Sequence, residues 1–264
     1  MPEFTAKDIQ ALRKATGVGM ADAKKALVAS SGDFDKAVVW LRENGLSGQA
    51  KRADREATEG AVAIGRSGDA ASIVQLRSET DFVAKSDEFK TMVADLADLV
   101  AADGEHAIEQ RSTELADMIT RLQENISIGK VVRIEAPSEG AVDSYLHLQS
   151  GRGVNAVVVA VAGGSAELAH DIAAHIAFAR PSYISRDEVP ESEVAAERET
   201  VENIARKEGK PDAALPKIIE GRLNGWYKDR VLLDQAYIKD EKQTIAKLLG
   251  TATVTQFAQV VIGD

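Results

Sequence analysis

The tetrapeptide EGAV occurs twice in the chain, at 59–62 and at 139–142. Each copy is followed by a polar turn, RSGD in the first and QSGRG in the second. Each turn leads into an apolar strand, 73–76 and 156–162, and then into a helical pattern, 83–102 and 166–179. A recurring order of strand, turn, strand and helix points to an internal duplication, with one α+β unit built twice. The alternation of apolar and polar residues around RSGD predicts a hairpin. Over 83–102, Phe89, Met92, Val93, Leu96, Leu99 and Val100 share one stripe, the pattern of a helix packed on a sheet. A second helix is expected over 114–125, followed by a strand, SIGKVVRIEA.

Residues before this core read as three short helices. Thr5 is the expected N-cap of the first, with Asp8 in the capping-box position. TGVGM (16–20) breaks the pattern with two glycines. SSGDFD (30–35) breaks it again, with Gly32 as the expected C-cap and Asp33 or Asp35 opening the third helix. Val38, Trp40 and Leu41 populate that helix, which stops at Asn44-Gly45. So small a core suits a docking module. The stretch GLSGQAKRADREATEG (45–60) is made locally basic by Lys51, Arg52 and Arg55, and reads as a solvated helical linker rather than an RNA-binding arm.

Within the second half, Pro190 suits a helix start. The helix that follows has a narrow stripe of Val194, Val201, Ile204 and Ala205. Gly209, Lys210 and Pro211 turn the chain, and a second helix from Pro216 carries Ile218, Ile219, Leu223 and Trp226 along one face. Stripes this narrow fit a two-helix seam better than a domain core, so an antiparallel helical hairpin is expected to project here. The chain then returns to strands and closes with VTQFAQVVIGD.

Forty-two acidic against 32 basic side chains give a net charge of −10, which opposes sequence-independent gripping of a phosphate backbone. The absence of cysteine excludes disulfides, thiolate metal sites and cysteine nucleophiles. MPEFTAKDIQ lacks the basic start and apolar run of a signal peptide, and no stretch has the length to span a bilayer. A soluble cytoplasmic protein is expected. Of the four histidines, His106, His147, His170 and His175, the last two are five apart and fall on different faces of one helix. His170 and Asp171 are adjacent and do not face each other there. The glycines of GVGM, GGSAE and GRGVNAVVVAVAGG lack the spacing of phosphate-binding loops. No enzyme chemistry, metal or cofactor is expected.

The segment RSETDFVAKSDEFK (77–90) sets Asp81 and Phe82 where an alternating pattern gives way to a helical one. Two readings are open. Thr80 or Asp81 caps the helix, where a negative charge is favoured, and Phe82 packs as a hydrophobic staple. Alternatively, the acid and the aromatic form a probe for another molecule.

TDFVAKSDEF (80–89) closely resembles the signature of the bacterial elongation factor Ts family. TGVGMADAKKAL (16–27) and GDFDKAVVWLRENG (32–45) resemble that family's N-terminal ubiquitin-associated-like module, and GKP and EGRLNGWYKD its helical hairpin. The resemblance covers the chain. It implies an α+β fold with a three-helix module (1–45), a charged linker (46–59) and two core halves (60–138 and 139–264). The second half would carry the hairpin at 190–228. It implies a guanine-nucleotide exchange factor, not an enzyme, that binds GDP-bound elongation factor Tu without direct nucleic-acid or membrane contact. In the family the Asp-Phe pair enters the GTPase near its Mg²⁺ site and displaces the ion. Carried over, Asp81 and Phe82 are the wedge, and Thr80 and Val83 set its geometry. Val18, Gly19 and Met20, in the N-terminal module, and His147, in SYLH, are further candidate contacts. The competing expectation is a helical adaptor that captures a different protein without affecting nucleotide. An enzyme ranks third.

Overall fold

The structure is a computed structural model that describes residues 4–44 and 55–263. Three helices open it: α1 (Ala6–Thr16), α2 (Met20–Ala29) and α3 (Phe34–Glu43). The capping box at α1 forms as expected: the Thr5 N–H donates to Asp8 Oδ2 at 2.6 Å, and Thr5 Oγ1 accepts from the Asp8 N–H. Leu12, Ala23, Ala26, Leu27, Ala37 and Leu41 are fully buried between the helices. The C-cap of α2 is Ser30 rather than Gly32. Ser31 and Gly32 follow in left-handed conformations, and the Gly32 N–H closes on the Leu27 carbonyl at 2.8 Å. Gly32 thus completes a Schellman motif from two residues beyond the cap.

The core holds two small antiparallel sheets. Strands β1 (Glu59–Ser67), β2 (Ala70–Ser78) and β3 (Ser127–Glu135) form the first, in that order. Strands β4 (Gly140–Gln149), β5 (Arg152–Ala162) and β8 (Thr253–Val261) form the second, also in chain order. The RSGD hairpin turns at Gly68-Asp69, with Ser67 opposite Ala70. A two-stranded ribbon of β6 (Ala236–Tyr237) and β7 (Asp240–Thr244) lies before β8, with a short helix, α10 (Ile245–Leu249), between β7 and β8. The basic residues Lys51 and Arg52 and most of the expected helical linker at 45–60 lie outside the described residues; its described part, 55–58, is not helical. Glu59, expected in the linker, is the first residue of β1.

The expected single helix over 83–102 is two. A four-residue turn, α4 (Asp81–Ala84), precedes α5 (Asp87–Asp103). The break falls at Lys85-Ser86, where Ser86 Oγ accepts the Phe89 N–H and restarts the helix. A 3₁₀ segment (Glu105–Arg111) then leads into α6 (Ser112–Leu122), which Gln123 ends in a left-handed conformation, short of the expected Asn125.

Packing produces four layers. Phe89, Val93, Leu96 and Val100 of α5 bury against Val74 and Leu76 of the first sheet. Ile172 and Ile176 of α7 (Ala166–Ala179) bury against Val157, Val159 and Val161 of the second. Alternate residues of the same strands, Ile73 on β2 and Ala156, Val158 and Ala160 on β5, meet between the sheets. Period-two alternation thus assigns one face of each sheet to a helix and the other to its twin. Gly65 lets α5 approach the sheet closely: a Cβ there would lie 2.1 Å from the Ala97 carbonyl oxygen.

Helices α8 (Glu191–Lys207) and α9 (Leu215–Arg230) form the antiparallel hairpin, sealed by its own cluster of Val201, Ala205, Leu215, Ile219 and Leu223. Ile204 is 43% exposed, and Trp226 lies outside the seam. Residues 219, 223 and 227 share a face at i+4 spacing, so Tyr227 takes the place expected for the tryptophan. The Trp226 ring instead meets Tyr227 edge-on at 5.1 Å, with Arg230 4.7 Å from its centroid.

Candidate partner-binding site

Strand β2 ends at the fully buried Ser78, the chain emerges over Glu79 and Thr80, and Thr80 opens α4. The Thr80 backbone is extended (φ −119°, ψ 151°), and its Oγ1 accepts the Val83 N–H at 3.3 Å. Thr80 is therefore the cap, and Asp81 begins the turn. Val83 is buried in the first-half core. Phe82 points the other way and is 83% exposed, the most exposed large apolar side chain among the described residues. It packs as no staple. The capping half of the structural reading holds and the packing half fails.

Asp81 is ionised and held close to the backbone turn. Lys85, one helical turn on, forms an ion pair with its Oδ2. The hydrogen bond from Lys85, and then its charge, hold the Asp81 carboxyl below the usual carboxylate range, with a smaller pull from Arg152. Arg152 comes from the β4–β5 hairpin, where its guanidinium donates to the Gly60 carbonyl at 2.6 Å and to Glu59 Oε2 at 2.7 Å. The second half thus reaches across to the root of the first-half site. The exposed product is an apolar ring beside a paired carboxylate.

Sequence reasoning missed the residues behind this turn. The Glu124 carboxylate accepts the Glu79 and Thr80 N–H groups, each at 3.1 Å, and the Thr80 hydroxyl at 2.5 Å. Glu79 Oε1 accepts the Asn125 N–H at 2.6 Å and pairs with Arg55 at 3.3 Å. Asn125 Nδ2 donates to the Arg55 carbonyl at 2.7 Å. The Thr80–Glu124 pair spans 44 residues, and no local pattern signals it.

The remaining candidates are separate from this site. Val18 is buried in the three-helix core, so its side chain faces away from any partner. The Gly17–Met20 turn exposes Gly19, at the start of α2, and Met20, which is 47% exposed. A cavity of about 890 Å³ borders this turn, with Lys7, Arg13, Lys14 and Arg121 on its walls. His147 is exposed on β4, beside a register shift at Leu148. His170 Nδ1 lies 3.8 Å from Asp143, while Asp171 pairs with Lys239 at 2.6 Å. His175 is fully buried, and its Nε2 meets Gln235 Oε1 at 2.9 Å. Among the described residues, no group of acidic and histidine side chains could hold a metal ion, and no helix is long and apolar enough to cross a membrane.

Comparison with known proteins decides the family. The model described as Elongation factor TS matches residues 79–264. A protein named Elongation factor Ts from Clavibacter michiganensis is 43% identical over 277 residues, covering all of both chains. Proteins of the same name from Saccharopolyspora erythraea and Mycobacterium tuberculosis are each 44% identical, again over the full length of both chains. The chain belongs to the elongation factor Ts family. It is a translation elongation factor and acts in protein biosynthesis. The match begins at Glu79, so Thr80–Val83, Glu124 and His147 all lie within it. Gly19 and Met20 lie outside it, in the length shared with the full-length relatives.

Proposed function

We propose that this chain is a guanine-nucleotide exchange factor, not an enzyme, that binds GDP-bound elongation factor Tu in the cytoplasm and promotes GDP release. The exposure of Phe82 on a turn whose next residue is anchored in the core carries this reading. Phe82 supplies apolar area and shape, and the Asp81 carboxylate supplies charge and acceptor capacity. In such GTPases Mg²⁺ bridges the phosphates and the protein, and a glycine-rich loop cradles the phosphates. The wedge enters near the ion and displaces it, with Thr80 and Val83 holding its geometry. No bond of the nucleotide changes.

Exchange requires that the factor and GDP weaken each other's binding, and that coupling is reciprocal. Rebinding nucleotide then expels the factor. Residues 1–45 act as a separable anchor through the Gly19–Met20 turn, and His147 adds a second contact. Direct contact with nucleic acid or membrane has no part in this cycle. Release of labelled GDP from elongation factor Tu tests the reading: substoichiometric amounts of the chain accelerate it. Binding without acceleration would make the chain an adaptor instead.

A further inference from the structure

An exposed side chain takes its direction from its backbone. Phe82 has little packing of its own; the buried Val83 and Ala84 fix its backbone on one side, and whatever fixes Glu79 and Thr80 on the other side completes the aim of the ring. Two consecutive residues at the end of β2 exchange hydrogen bonds with two consecutive residues after α6. Glu124 accepts from the Glu79 and Thr80 N–H groups and from the Thr80 hydroxyl, while Glu79 accepts from the Asn125 N–H. An ionised carboxylate suits this position because it only accepts, and its two oxygens take several donors at once. Such charge-assisted bonds are stronger than neutral ones. Because the Thr80 hydroxyl donates to Glu124, its lone pairs are left for the Val83 N–H, which it caps at 3.3 Å. One carboxylate therefore orients both the backbone entering α4 and the hydroxyl that caps it.

We infer that Glu124 is a positioning residue for the Asp81-Phe82 pair, an inference that rests on the proposed action of Phe82 on the partner. Glu124 and Glu79 are half-buried and Thr80 is exposed, so water replaces the lost acceptors when Glu124 is removed. The fold survives that loss, whereas the aim of the ring does not.

The test uses the full-length chain with Glu124→Ala, Glu124→Gln, Phe82→Ala and the double variant Glu124→Ala/Phe82→Ala. Glu124→Ala speeds amide hydrogen exchange at Thr80 and Val83 by about tenfold or more, the loss of charge-assisted bonds, while amides of β2 such as Val74 keep their protection. Its melting temperature stays near wild type. GDP release slows by about tenfold, Glu124→Gln recovers most of that loss, and Glu124→Ala adds nothing once Phe82 is gone. Unchanged protection at Thr80 and Val83 overturns the inference. So does a large fall in melting temperature, or a double variant whose two defects multiply. If Phe82→Ala releases GDP at the wild-type rate, the proposed function fails instead, and amide exchange alone decides whether Glu124 holds the turn.

Discussion

The chain passes from strand to helix at the same place in each of its two halves, and does so differently. In the second half, β5 ends at Ala162 and α7 begins at Ala166. Gly163 takes a left-handed conformation with its N–H on the Glu139 carbonyl at 2.6 Å, and Ser165 caps the helix by accepting the Leu168 N–H at 3.2 Å. In the first half Ser86 does the work of Ser165, capping α5 at the Phe89 N–H. Between β2 and that cap lies an added turn, α4, anchored by Val83 and Ala84 and carrying Phe82 outward. The plain junction shows what this scaffold needs to enter its helix. A serine cap suffices there, so the acid-aromatic turn exceeds what entry into the helix requires, which supports its proposed role toward a partner.

That contrast is open to direct attack. Phe89→Ala removes a fully buried ring and is expected to cost about 3–5 kcal/mol in urea unfolding. Phe82→Ala, seven residues earlier, should stay within about 0.5 kcal/mol of wild type, as exposed substitutions do. Equal losses would make both rings core. At the next scale, Ser165→Ala and Thr80→Ala each lose a helix cap worth about 1 kcal/mol. Only Thr80→Ala should also slow GDP release, and matching release rates for the two variants would erase the distinction between the junctions.

The smallest effect separates the cores by pH. Burial pushes the His175 imidazole below its usual range, against a weaker opposing pull from the Gln235 hydrogen bond. Below pH about 6.5 the unfolded histidine takes a proton that the folded one refuses, so unfolding is favoured as pH falls. Wild type should therefore lose more stability than His175→Gln between pH 7.5 and 5.5, measured as the shift in urea midpoint. Parallel losses in both proteins would remove His175 from the account.

Much of this architecture was legible in the sequence because it follows from local rules. The Thr5–Asp8 box, the RSGD hairpin and the repeated strand-turn-strand-helix order each depend on residues close in the chain. The misreadings came where a period was followed past its end. The apolar stripe of 83–102 gives the buried face but hides the restart at Ser86. Trp226 fits the face at i+3 from Leu223, although the i+4 ladder selects Tyr227. Val18 looked like a turn residue and is core, because a turn only three residues long still leaves one side chain facing inward. At the site, Thr80, Asp81 and Phe82 stood out at a change of pattern. Glu124 did not, since its partners lie just past the end of β2, 44–45 residues away, and meet it only after the sheet has formed.

The central claim is that Phe82 acts on the partner's magnesium site rather than on this chain's own fold. GDP release from elongation factor Tu, driven by wild type and by Phe82→Ala, with magnesium and with excess chelator, tests it most directly. A coupling of about 1–3 kcal/mol corresponds to roughly 5–150-fold at equilibrium, which sets the scale of a defect worth looking for. The account predicts a large defect for Phe82→Ala with magnesium present and a clearly smaller one after the ion has been removed. An equal defect in both conditions would contradict it and place Phe82's contribution in binding or in phosphate-loop contacts.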